Sequence, residues 1–424
     1  MTHLIFDGSL EAGSLAAPET VRSSGLGYLA RQPILDHCGG VFGYELHCHE
    51  PFEPKVAMGL SSASSGMLDA LALYGVERLA AGSWGFVNCN LEMLVGDLFE
   101  GLRPAMTVLE IPNQPEPSEK MIRACRKLRD AGFRLALLSF ESSKTGNPLL
   151  QLVDYVKVDL KSLEAPEWEH LSKQLNGARV TVVADNVQTH EAYRKARTFG
   201  VKHFQGFYFC HPELIPSGKI PANRIYHMEI LRQLFRDPLE LKTLCPLVSQ
   251  DASLVYRVLR YVNSPICGIR HPVTSIQEGI MILGDAAFRR IAALAIQSAL
   301  SQDQSPELLQ MALVRARFCA MAAPLCGLEG DEQYLLGMMS LLPPMLRVPM
   351  ETILRELPLR TEIRDALAGN PSKERCLLTW IECLEDNRPS GCDEISALYG
   401  LDRNILAVLY LSSLEDGSKP VRIN

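Results

Sequence analysis

The 424-residue sequence lacks most of the short signatures that would assign a chemistry at sight. None of its 12 cysteines forms a Cys-x-x-Cys pair, the spacing by which zinc and redox sites usually declare themselves. They run singly from Cys38 to Cys392 and read as reduced, mostly buried small hydrophobes, since disulfide frameworks belong to short secreted chains. No run of 18 apolar residues free of charge occurs, so no membrane insertion is expected. The opening MTHLIFDGSLEAG has neither the basic nor the apolar region of a secretory signal, and the expected location is cytoplasmic. No Gly-x-Gly-x-x-Gly or phosphate loop follows any apolar run, which removes the mark of a nucleotide-cofactor fold. An excess of positive charge is missing too. With 42 Lys+Arg against 49 Asp+Glu, the net charge of -7 argues against nucleic acid as a partner. The basic pair in Arg315-Ala-Arg317 reads as a solvated helix face. His47-Cys48-His49 and His37-Cys38 are metal-ligating types, but alternate residues of a strand face opposite sides, so no shared ion is expected there.

What the sequence does contain is material for cores: hydrophobic residues make up 47% and charged residues 21%, a globular balance, and the length suggests two or three domains. Two periodicities divide it. Residues 1–26 are a Gly/Ser/Ala/Pro-rich leader. From 27 to 212, short β-type runs alternate with helical segments such as Glu119–Ala131, where Met121, Ile122, Cys125 and Leu128 recur at helical spacing. The runs are Val41–Leu46, Gly85–Cys89, Met106–Ile111, Arg134–Ser139, Tyr155–Leu160, Arg179–Ala184 and His203–Phe209. Continuous apolar strands, each followed by a helix, suit a parallel sheet buried on both faces. Seven or eight such units in so short a span predict a compact TIM-like α/β barrel. A polar, proline-marked link covers 213–222, and 223–424 reads as an all-α domain. There Asp251 is placed to cap one helix and Ser275 another, which Gly284 ends. The Met/Leu stripe at 335–346 reads as core.

In a β/α barrel the working residues stand at the carboxyl ends of the strands. Those ends carry Glu45, Asn88, Glu110, Ser139, Lys157 with Asp159, Asp185 and Gln205. One polar end is ordinary capping; a polar group on nearly every strand points to a single pocket.

In context these residues resemble a known family. Gln32-Pro33-Ile34, Gly43-Tyr44-Glu45-Leu46, Val87-Asn88, Leu109-Glu110-Ile111, Lys157-Val158-Asp159, Asp185-Asn186-Val187-Gln188-Thr189 and Gln205-Gly206-Phe207-Tyr208-Phe209 follow in order the marks of the EAL domain, a TIM-like barrel of cyclic di-GMP phosphodiesterases. The segment Val258–Ser264 with Ser275–Gly284 is similar to the HDOD domain, a helical module related to HD-type metal phosphohydrolases but without their ligands. The whole resembles EAL–HDOD two-domain signalling proteins. The resemblance implies Glu45, Asn88 and Glu110 as metal ligands, Lys157 and Asp159 as catalytic-site residues, and Gln32, Glu45, Asn88, Glu110, Lys157, Asp185 and Gln205 as candidates for lining a ligand pocket.

It also implies losses. The family's Asp-Asp-Phe-Gly is here Leu138-Ser139-Phe140-Glu141, its Glu-Gly-Val-Glu is Asp185-Asn186-Val187-Gln188, the second carboxylate of its Glu-x-Thr-Glu is Asn113, and the arginine after its name motif is His49. Hard divalent cations need enough charged oxygens. The expectation is therefore a degenerate site that catalyses nothing and holds no metal or cofactor, with magnesium or manganese entering only if residual activity survives. The chain would then signal through contacts with a protein partner still to be identified. Alternatives are a receptor that binds cyclic di-GMP without cleaving it, or a weak phosphodiesterase working through Glu45, Asn88, Glu110 and Lys157. A homodimer through barrel surfaces is a further expectation by analogy.

Overall fold

The computed structural model describes residues 28–418 except 50–70, 72–74, 97–98, 100–101, 115, 141–146, 161–164, 212–221, 265–266, 268, 270 and 302–303. The expected leader, all of the expected link but its last residue, Ala222, and Glu141 lie outside the described residues.

Eight strands close a barrel in sequence order: β1 (Tyr28–Asp36), β2 (Val41–His49), β3 (Trp84–Asn88), β4 (Thr107–Ile111), β5 (Arg134–Leu137), β6 (Tyr155–Asp159), β7 (Thr181–Asp185) and β8 (His203–Gln205). The TIM-like barrel is therefore as expected, with two corrections. The sheet is not wholly parallel: β1 runs antiparallel to both β2 and β8. A short turn joins β1 to β2, and only antiparallel neighbours can be linked without a crossover. Pro33 and the polar Arg31 and Gln32 hide β1 from a reading by apolar runs. The second correction is at the end of the barrel, where the apolar run through Phe209 leaves the sheet after Gln205 and becomes a 3-10 turn, Tyr208–Cys210.

Alternation fills the barrel. Ile34, Phe86, Val108, Ala136, Tyr155 and Val183 point inward and form its buried middle layer, while the intervening residues pack against the outer helices. The helix Glu119–Asp130 shows the pattern: Ser118 accepts from the Met121 N–H, and Met121, Cys125 and Leu128 face the barrel.

From Ala222 to Ser418 the described chain is helical. Asp251 caps Ala252–Val262 by accepting from the N–H groups of Ser253 and Leu254, and Ser275 caps Ile276–Leu283, which ends at Gly284 with φ 78°. The Met/Leu stripe is core, with Leu336, Met338, Met339, Leu342, Met345 and Leu346 all buried. Gly337 lies where two helices cross. A Cβ there would stand 2.7 Å from the backbone of Arg315 and Ala316, so only glycine permits the approach. The helix Pro306–Cys326 alone among the described residues is long and apolar enough to cross a membrane, and 61% of its apolar window is buried inside the fold. That burial is what a core helix shows.

Arg315 corrects another expectation. It is no solvated basic face: it is buried, forks onto Glu385 with Nη2–Oε2 at 2.7 Å, and donates to Ser340 Oγ at 3.0 Å. A buried guanidinium is tolerated only with such full pairing.

The two halves meet across β1 and β2. Tyr44 donates its hydroxyl to Glu307 Oε2 at 2.6 Å, and the Arg31 guanidinium lies 4.4 Å from the Tyr44 ring centre. Ser305, the N-cap of Pro306–Ala322, donates to the Gly39 carbonyl at 2.8 Å. Burial pushes the Glu307 carboxyl up to about 7, against the pull of Arg31 and the Tyr44 hydrogen bond. A raised carboxyl stabilises the fold fully below its unfolded value and loses that contribution as pH rises through the folded one. Unfolding by urea should therefore show Glu307→Gln losing about 3 kcal/mol less stability than wild type between pH 4.5 and 7. Equal pH slopes for the two proteins would contradict the assignment.

Candidate functional site

The carboxyl ends of the strands bring the expected residues together. β2 contributes Glu45, β4 Glu110 and β6 Lys157, and all three side chains are buried at the barrel mouth. Each lies inside because its strand alternates: Glu110 is two residues from the inward Val108, and Lys157 two from Tyr155. The Lys157 ammonium contacts Glu45 Oε2 at 2.7 Å and also touches Glu110 Oε1. Gln205 from β8 donates to Glu45 Oε2 and, at 2.7 Å, to Gln32 Oε1 of β1. His47 Nε2 is 3.6 Å from Glu45 Oε2. Side chains from β2, β6 and β8 thus converge on one carboxylate.

The three charges do not balance as a simple pair. Burial opposes ionisation of Glu45, but the Lys157 ammonium and His47 outweigh it and hold the carboxyl well below the usual range. At Glu110, burial and the Glu45 charge together outweigh Lys157 and push the carboxyl well above that range. Burial would lower Lys157, yet the two glutamates keep it firmly protonated. One ammonium cannot stabilise two buried carboxylates equally, so Glu110 holds its proton more tightly than Glu45 does, and Lys157 stays protonated.

Above this layer lie the remaining candidates. Asn88 is exposed at the rim and pairs with Glu110 across the β3–β4 ladder. Asp159 and Asp185 are partners across β6 and β7, and Asn186 donates to Asp159 Oδ2 at 3.1 Å. Burial, joined by the Glu45 charge, raises the Asp185 carboxyl in spite of Lys157. Two non-glycine residues hold positive φ at this rim, Ser139 at 44° after β5 and Asn186 at 56° after β7. Strain of this kind persists only where the surroundings fix it, and it gathers at functional sites. Asn113 is turned to construction: it donates to the Ser139 carbonyl at 3.2 Å and accepts from Asn147 at 2.9 Å, tying the loops after β4 and β5. The side chain of His49 lies outside the described residues.

The donor set fits a hard divalent cation. Glu110 Oε1 is held by the Lys157 ammonium, while Oε2 of this fully buried carboxyl has no hydrogen-bond partner, and a buried acceptor left in that state wants a proton or a cation. Glu45, Glu110 and Asn88, with Asp159 and Asp185 at the rim, are the residues that would hold it. Leu138, after β5, offers no ligand atom. The sequence did not show that Lys157 sits between the two glutamates; strand-end position alone indicated the members of the cluster, not their pairing.

Comparisons with known proteins agree with the residue pattern. The EAL domain model matches residues 92–212 and the HDOD domain model residues 220–343. The chain is 26% identical over 399 residues to the uncharacterized protein YuxH of Bacillus subtilis, covering 92% of this chain and 97% of that protein. It is 27% identical over 383 residues to the cyclic di-GMP phosphodiesterase CdgJ of Vibrio cholerae, covering 88% of each. Among solved structures it is similar to an EAL domain protein from Listeria monocytogenes (20% identity, TM-score 0.35, 44% of this chain and 87% of that one). It is also similar to Klebsiella pneumoniae BlrP1 in a manganese and cyclic di-GMP complex (23% identity, TM-score 0.37, 44% of this chain and 56% of that one).

These matches overturn the expectation that the chain is not an enzyme. The EAL domain model matches residues 92–212, and the relative aligned along 88% of the chain is named a cyclic di-GMP phosphodiesterase. The expectation rested on counting substituted carboxylates, and that count did not weigh the acid pair and lysine that the mouth keeps together.

Because Lys157 offsets two buried acids, Lys157→Met should destabilise the protein by about 3–5 kcal/mol at neutral pH, the usual cost of orphaning a buried charge. The loss should shrink in acid, where Glu45 can take up a proton. Urea unfolding of wild type and variant at pH 7.5 and pH 5 measures this; a loss independent of pH would refute the arrangement.

Proposed function

We propose that the chain, matched by the EAL and HDOD domain models in turn, is a cyclic di-GMP signalling protein whose barrel mouth binds the cyclic dinucleotide and hydrolyses it. The observation that carries this reading is the buried Glu45–Lys157–Glu110 cluster, at the strand ends where a barrel places its chemistry.

The reaction needs little covalent work from the protein. Water adds to one phosphorus, the P–O bond to the neighbouring sugar opens, and the ring becomes a linear dinucleotide. A divalent cation, when bound at the carboxylate oxygens, supplies an activated water and offsets charge on the phosphoryl oxygens. The protein's own share is electrostatic and acid–base. Lys157 places a fixed positive charge at the floor of the mouth, in surroundings that exclude water and strengthen its field. Glu110, whose carboxyl burial and the Glu45 charge push up, is the acid able to hold a proton in the site and to give it up where a cation binds. Gln32 and Gln205, joined at 2.7 Å, offer amide donors and acceptors to a polar ligand, and Asp185 with Asn186 frames the rim.

The helical half supports the signalling side of the proposal. Glu307 holds Tyr44, the residue beside Glu45 on β2, so a change in the helical half reaches the site through one strand. Exposed Tyr256, Met281 and Ile282 on that half are apolar groups that suit a protein partner.

The test is to incubate the full chain with cyclic di-GMP and magnesium or manganese and to follow the linear dinucleotide by chromatography. Turnover is expected, falling about 10²–10⁴-fold in Glu45→Gln. Binding without turnover would overturn the hydrolytic part, and absence of both would overturn the assignment of the mouth.

A further inference from the structure

A second cluster lies at the opposite end of the barrel, in the hairpin between β1 and β2. Asp36, His37 and Cys38 follow one another there, and one donor atom from each lies within 4.8 Å of the other two. On a strand, consecutive residues would diverge. Here β1 ends at Asp36, and the chain reverses through Gly39 at φ 82°. The turn is fixed by its own bonds. Asp36 N–H donates to the Gly40 carbonyl at 2.8 Å, and Asp36 Oδ1 accepts from the N–H groups of Cys38 and Gly40 at 2.8 and 2.9 Å. Those bonds use Oδ1 and leave Oδ2 free to bind elsewhere. Gly40 keeps that oxygen open, since a Cβ there would come within 3.1 Å of it.

A separate observation comes from β8. His203 is the register partner of Asp36, and directly opposed residues of an antiparallel pair project to the same face. Its Nδ1 is buried and has no hydrogen-bond partner. The ring packs on Phe42 with centroids 4.3 Å apart and lies within the field of the Asp36 carboxylate.

The chemistry of the donors selects the ligand. Carboxylate oxygen, imidazole nitrogen and thiolate sulfur together suit a borderline cation, whereas magnesium and calcium favour oxygen alone. We propose that Asp36, His37 and Cys38 form a binding site for a divalent transition metal of the zinc class, with the fourth position taken by water. The site is independent of the barrel mouth and of the reaction proposed there. It bears on the domain contact, because Ser305 donates to the Gly39 carbonyl of the same turn. A metal that stiffens the turn also fixes the seat of the helix Pro306–Ala322.

Cobalt(II) added to the reduced, chelator-stripped full chain gives the test, since cobalt bound to thiolate absorbs in the near ultraviolet. We expect a saturable charge-transfer band that zinc displaces and that Cys38→Ser abolishes. Among the described cysteines Cys38 is the exposed one, so its replacement leaves the core intact. His37→Ala should weaken binding at least about tenfold, the lower end of what even an outer-shell partner costs. No band in the wild type, a band that survives Cys38→Ser, or an affinity unchanged in His37→Ala would each overturn the site.

Discussion

A single buried ammonium organises the barrel mouth. Lys157 is fully buried and stands between two glutamates from different strands. Taking one cation and two carboxylates out of water is costly unless their charges are matched. Two against one is not a match: burial and the Glu45 charge push Glu110 toward its protonated form, while His47 adds to the pull of Lys157 on Glu45. The consequence is a site whose two acids differ in proton affinity, inside a barrel too rigid to relax around them.

β2 links this site to the rest of the molecule. Its alternation sends Glu45 into the barrel and Tyr44 out to the helical half, where Glu307 receives its hydroxyl. The residues on the two sides of one peptide unit therefore serve different domains. At the lower end of the same hairpin, the Asp36–Gly40 turn rests on Ser305. Both hydrogen bonds fall within three residues of each other at the start of Pro306–Ala322, and the helices Cys376–Glu385 and Arg403–Ser418 pack against β1 beside them, so the helical half seats on the β1–β2 hairpin.

Much of this was legible in the sequence, and the failures have physical causes. Each of the seven apolar runs holds a strand, because strands buried on both faces must be apolar throughout. β1 escaped because it carries Gln32 and Arg31 for the mouth and the domain contact, and Pro33 besides. Asp251 and Ser275 were readable as caps from type and position alone. Arg315 was not: whether an arginine faces water or a buried Glu385 70 residues away is decided by packing, which no local pattern encodes. The same limit hid the role of Asn113 as a loop tie, and it hid the reversal that brings His37 and Cys38 toward Asp36. Strand-end position named the members of the mouth; their pairing and charge state came only from the closed barrel. The substitutions at Leu138 and Gln188 were readable too, but counting them pointed away from catalysis, and the family matches contradict that expectation.

Burial and the Glu45 charge raise Glu110, and a proton held there at neutral pH is the expected result. Infrared difference spectroscopy of wild type against Glu110→Gln at neutral pH measures it directly. The account predicts a protonated carboxyl stretch in the wild type that the variant lacks. If the variant instead removes an ionised carboxylate band, Glu110 is charged at neutral pH and the account of the mouth is wrong.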